Sequence, residues 1–150
     1  MCLDRKPTRD EVIRDFKKKI QVEKGSYVGY KIFQKYNKMF YSPIMGSGPY
    51  KLNEWIKDDS KATVDYTETD SEYRCGFHVF IDEKEAKRVL GCYKELNNGG
   101  MPGRCTLRKV FFNKIIAYGY ENIVHLVSGN DKLPDVRTIV TREMFIPKMR

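Results

Sequence analysis

The last third of the chain constrains the fold most. From Cys105 to Ile146, apolar and aromatic residues come in blocks of strand length: Cys105 to Phe112, Ile115 to Tyr120, Ile123 to Val127 and Val136 to Ile146. Gly129-Asn130 and Pro134 punctuate the later blocks. Val, Ile, Phe and Tyr suit a pleated, half-buried surface, and such blocks between turn residues read as strands. Strands must find partners and a cover, so the rest of the chain has to supply both.

Two segments read as helices. Thr8 stands three residues before Glu11, a reciprocal capping signal, and Val12, Ile13, Phe16 and Ile20 follow at helical spacing. This predicts a helix from about Arg9 to Glu23, ended by Gly25, with Lys17, Lys18 and Lys19 near the terminus where positive charge suits the helix dipole. Asp82 with Glu85 repeats the capping pattern ahead of Ala86, Val89, Leu90 and Tyr93, and Asn97-Asn98-Gly99-Gly100 stops that second helix. Tyr27 to Phe33 and Met39 to Ser42 read as a hairpin across Gln34 to Lys38, and Pro43, Gly46, Gly48 and Pro49 mark a loop. Tyr50 to Tyr73 reads as a surface excursion with a short strand at Ala62 to Tyr66, and Cys75 to Ile81 as a strand. The 150 residues therefore predict one α+β domain, 1–150. It has an N-terminal helix and a mostly antiparallel mixed sheet of about six or seven strands, with one helix packed on it.

Composition bounds the class. Hydrophobic residues make up 41% of the chain, enough for a core, and no apolar run approaches the ~18–20 residues of a membrane span. The first residues lack the apolar stretch of a signal peptide, which predicts a protein of the cytoplasm, the host-cell interior, with reduced thiols. Cys75 and His78 have the gap of a zinc half-site, but Cys92 and Cys105 are thirteen residues apart, so buried free thiols are expected and no metal. No cofactor is implied either: a phosphate-cradling glycine loop, a paired-histidine helix and a nucleophile elbow are all missing from the sequence.

The charge is patterned. No acid occurs from Gly25 to Leu52, which holds Lys31, Lys35, Lys38 and Lys51, nor from Leu96 to Tyr120, which holds Arg104, Arg108, Lys109 and Lys114. If these stretches are neighbouring strands they make one positive face that attracts phosphates or an acidic partner. The hairpin Tyr30 to Tyr41 interleaves aromatics with lysines, a pattern that can stack on bases while tracking phosphates. The expected ligand is a nucleic acid or a nucleotide, contacted by Lys31, Lys35, Tyr36, Lys38, His78, Arg104, Arg108 and Lys109. Strand alternation puts Phe77 and Val79 on one face and His78 with Phe80 on the other, near a strand–helix junction where a cleft can open. His125 sits mid-strand and reads as structural. Cys2 would carry a free amine beside its thiol if Met1 were removed.

A set of short motifs runs in order along the chain: a Met-Cys-Leu start, Gly29-Tyr-Lys-Ile-Phe33, Phe40-Tyr-Ser-Pro-Ile44, Gly76-Phe-His-Val-Phe80, Glu85-Ala-Lys87, Ala117-Tyr-Gly119 and Arg142-Glu-Met-Phe-Ile146. Together they resemble small uncharacterised proteins of bacteriophages, other large DNA viruses and bacteria. The resemblance implies a viral or mobile-element accessory protein with no assigned activity. The block from Gly76 to Tyr93 is also distantly similar to the second block of ADP-ribosyltransferases, with His78 where that family usually has Tyr. The early strand Tyr27 to Phe33 lacks that family's His or Arg, and Glu121 and Glu143 are the late acids. That likeness implies a degenerate relative that binds a nucleotide or a partner. Three classes follow: a binder of an anionic ligand, an inhibitor of a host defence protein, and an enzyme using NAD through His78 and Glu143.

Overall fold

The computed structural model describes residues 3–43, 48–97, 104–122 and 135–148. The predicted strand at Ile123 to Val127, together with His125 and Cys2, lies outside the described residues. The first helix, α1, starts where the capping signal puts it: the Thr8 hydroxyl accepts from the Glu11 N–H, and the Glu11 carboxylate accepts from the Thr8 N–H. It is shorter than its periodicity predicts. After one α turn, Arg9–Glu11, it widens to a π-helical stretch, Val12–Lys17, and Gln21–Glu23 is strand β1 rather than helix. The π stretch leaves only Phe16 fully buried, packed edge-on against Tyr118 and Tyr120.

The sheet strands are β2 (Ser26–Tyr36), β3 (Met39–Tyr41), β4 (Trp55–Lys57), β7 (Phe77–Phe80), β8 (Arg104–Glu121) and β9 (Val136–Phe145), joined by β1. A separate hairpin, β5 (Thr63–Asp65) with β6 (Glu72–Arg74), lies outside it. Every pairing is antiparallel. This is the α+β domain of seven sheet strands with one packed helix, α2 (Glu83–Asn97), that the sequence predicts. Two predicted strands are in fact one. Cys105 to Phe112 and Ile115 to Tyr120 belong to the 18-residue β8. It bends at a register shift between Ile115 and Ala117, with Lys114 at φ 59. An extra residue of this kind coils a strand, and here it lets β8 leave β2 and continue along β9.

The pairings close on themselves. β2 lies beside β8, β8 beside β9, β9 beside β7, and β7 returns to β2 through one register pair, Tyr30 opposite Phe80. Gly29 makes that return possible: a Cβ there would stand 2.3 Å from Val79 Cγ1 and 2.8 Å from the Phe80 carbonyl. The inside of the ring holds Phe33, Val79, Val110, Phe112, Ile139 and Met144. Outside, α2 covers Ile32, Phe80, Cys105 and Val136 with Ala86, Val89, Cys92 and Tyr93. It is capped by Asp82 and tied to β9 by Arg137, whose guanidinium donates to both Asp82 and Glu85. Leu3 and the β5–β6 hairpin cover Ala117 and Val140. Among the described residues, no helix is long and apolar enough to cross a membrane.

Candidate functional site

The two acid-free stretches are neighbours. β2 and β8 run side by side with Lys35 opposite Arg104, Lys31 opposite Arg108 and Tyr30 opposite Lys109. Strand alternation then divides the eight expected ligand residues. Lys31, Lys35, Arg104 and Arg108 share the face of Phe33 and Val110, the interior side of the ring. Lys109 points to the opposite face, where it pairs with Glu23 and lies over the Phe111 ring. The positive face is thus shorter than the whole of both stretches.

Where the ring runs out, the interior face meets solvent. Lys35 and Arg104 are exposed there, and among the described residues no carboxylate lies within ion-pair distance of them or of Lys38. Arg108 is half-buried behind them; its guanidinium sits 5.1 Å from the Phe40 ring centroid and donates to the Pro147 carbonyl. Burial holds its pKa below the ordinary arginine value. The hairpin turns at Asn37 and Lys38, both left-handed (φ 50 and 65), a two-residue turn that matches strand twist. Tyr36 and Met39 oppose each other across the tip, each 49% exposed, on the face opposite Lys35. The tip therefore carries cations on one side, an aromatic and a thioether on the other, and Lys38 between.

Lys31 and His78 form a second cluster, away from the tip. Beyond Tyr30 and Phe80 the strands β2 and β7 part, and the Lys31 amine donates to the His78 carbonyl across the gap at 2.8 Å. A pocket of about 60 Å³ adjoins this gap, its lining including Lys31, Ser42, His78 and Tyr93. A cleft of about 740 Å³ adjoins the gap as well, again touching Lys31, Ser42 and His78, with Tyr50, Ile56 and Phe77 along it. Burial pushes the Lys31 amine down to about 8, partly opposed by the charge of Glu121. Burial, with Lys31 adding, pushes His78 down to about 3, so its imidazole is neutral at physiological pH. The Tyr73 hydroxyl stands 3.4 Å from His78 Nε2 and accepts from the Leu3 N–H.

Sequence reasoning missed Glu121 as a buried acid whose charge acts on Lys31. The residue is 2% exposed, and neither its carboxylate oxygens nor the neighbouring Thr138 hydroxyl makes a well-formed hydrogen bond among the described residues. Burial raises its pKa to about 8, with Lys31 pulling the other way. The sequence signal was present but faint: Glu121 is the acid that ends the acid-free stretch, directly after an aromatic strand. Glu143, the other late acid, is held instead by Lys57 at 3.8 Å and Lys114 at 3.6 Å, three positions beyond Val140, the register partner of His78. Among the described residues no group of His, Cys, Asp or Glu is placed to hold a metal, and Cys75, Cys92 and Cys105 are not joined in disulfides. Comparison with protein-family models, curated proteins and solved structures gives no match.

Proposed function

We propose that the protein binds single-stranded nucleic acid across the tip of the β2–β3 hairpin, as an accessory protein and not through catalysis. One observation carries this reading. Lys35 and Arg104 stand directly opposite each other on neighbouring strands, without a carboxylate partner among the described residues, beside an exposed Tyr36. Like charges placed across a strand pair repel, so the pair costs stability unless an anion sits between them. A phosphate supplies that anion, and a base folded over the tip supplies a stacking partner for Tyr36. Lys38, at the turn itself, lies on the path between the two faces.

Fluorescence anisotropy with a labelled oligonucleotide at two salt concentrations tests this. Each phosphate contact on a single strand contributes roughly −0.7 to the log–log salt slope, so Lys35→Gln with Arg104→Gln should flatten the slope by about 1.4. Tyr36→Ala should cost about 1–3 kcal/mol of affinity and leave the slope unchanged. Absence of binding at low salt, or a double variant that binds with the parent's slope, would overturn the reading.

A further inference from the structure

The gap between β2 and β7 holds a lysine in an unusual position. Lys31 is half-buried; among the described residues its amine makes one hydrogen bond, to a backbone carbonyl, and no carboxylate lies within ion-pair distance of it. A solvated ammonium satisfies three donors; this one is offered a single fixed acceptor among the described residues, and Lys31 shares the lining of the small pocket with Ile32, Pro43 and Phe80. Desolvation disfavours the charged form by more than the charge of Glu121 restores it, so the amine gives up its proton more easily than an exposed lysine does. A neutral amine with a free lone pair is a nucleophile.

The surroundings suit a small ligand. The cleft of about 740 Å³ is within the usual range for small-molecule sites, roughly 300–1,000 Å³. Tyr50, Ile56 and Phe77 give it apolar walls, Ser42 lines both cleft and small pocket as Lys31 does, and Lys51, Lys57, Glu54, Asp58 and Asp59 add charged groups of both signs to the lining. His78 beside it is neutral and adds no competing charge.

We propose that Lys31 is a carbonyl-reactive lysine that condenses with a small aldehyde or ketone held by its apolar body in this cleft, forming a Schiff base. The Lys31 nitrogen adds to the carbonyl carbon while one N–H proton passes to the carbonyl oxygen, giving a carbinolamine. The carbon–oxygen bond then breaks, the second N–H proton leaves with the hydroxyl as water, and a carbon–nitrogen double bond remains. Nothing is oxidised or reduced in the condensation. The site is separate from the hairpin tip, and its test is independent of nucleic-acid binding.

The experiment treats the full chain at pH 7 with benzaldehyde and sodium cyanoborohydride, which reduces any imine to a stable benzylamine, and maps the adduct by peptide mass spectrometry over time. Lys31 should be labelled about tenfold or more faster than the exposed Lys35 and Lys38, because the neutral fraction of an amine rises tenfold for each unit its pKa falls. The preference should vanish in urea, where every lysine is solvated alike. Lys31→Met should lose the fast-labelled site and keep slow labelling elsewhere. Labelling of Lys31 no faster than Lys35 and Lys38 in the native chain would overturn the proposal. So would a fast phase that persists unchanged in Lys31→Met at another lysine.

Discussion

The two edges of β2 behave differently, although they belong to one strand. Along one edge, nine consecutive residues from Tyr27 to Lys35 pair with β8, and Val110 and Phe112 fill the space behind them. Along the other, β1 and β3 take the ends, and in the middle β7 touches at Tyr30 alone. A continuous ladder satisfies its own backbone groups and can be backed by hydrocarbon. An edge that parts after one pair leaves carbonyls to be satisfied by side chains, and polar groups collect there. Lys31 and Lys35 show the result within four residues of sequence. Both lie on the same face of β2, yet one bridges the open seam beneath a cleft and the other stands in solvent opposite Arg104.

The contrast predicts a large asymmetry in stability. Phe112→Ala removes a fully buried ring from behind the continuous seam and should cost about 3–5 kcal/mol in urea unfolding. Phe77→Ala takes away a half-buried ring that lines the cleft at the open seam, and should cost less than half as much because solvent already reaches the site. Equal costs would mean that the two seams are packed alike and that the cleft is not a real opening.

Next in size is the closure itself. Gly29→Ala would drive a methyl into Val79 and the Phe80 carbonyl, so it should destabilise by about 1–3 kcal/mol. Val79→Ala in the same chain removes Cγ1 and should recover part of the loss, while the carbonyl contact at 2.8 Å keeps the rest. A thermodynamic cycle of the two changes therefore reports a favourable coupling. Additive costs would place the strain elsewhere than at the β2–β7 crossing.

Much of this architecture was legible in the sequence. Both capping signals, the hairpin, the α2 face and, among the described residues, the strand blocks after Cys105 depend on local periodicity, which a sequence displays directly. The end of α1 was not, since Ile13 and Ile20 keep helical spacing while the chain widens into a π turn and then joins β2 as β1. Nor was the union of the first two of those blocks into β8, because the residues Asn113-Lys114 look like a turn and act as a bend within one strand. Trp55–Lys57 was hidden among acids and becomes a strand only through its register with Glu143 to Phe145. The candidate sites follow the same division. Lys35 opposite Arg104 needed only the assumption that two basic stretches are neighbours, whereas the cluster of Lys31 and His78 depends on the place where two strands stop pairing. No pattern along the chain records that.

Glu121 gives the smallest effect at low pH and the most diagnostic one. Its carboxyl is buried and feels the charge of Lys31, and burial raises its pKa from 4.5 to about 8. Between those values the folded chain keeps a proton at this site that the unfolded chain has released. Stability must therefore fall as pH rises through that window, by at most about 1.4 kcal/mol per pH unit from this group. His78 acts in the opposite sense and lower down: its pKa drops from 6.5 to about 3, so its burial favours the folded state increasingly as pH climbs from 3 to 6.5. Glu121→Gln removes the first term and leaves the second. The variant and the parent should be about equally stable near pH 4.5, and the variant should become progressively more stable than the parent toward pH 8, as read from urea midpoints in a common buffer series. A constant difference across that range would mean that Glu121 is ionised in the folded protein at neutral pH. Lys31 would then feel a charged carboxylate in place of a neutral acid, and the two edges of β2 would differ in geometry alone.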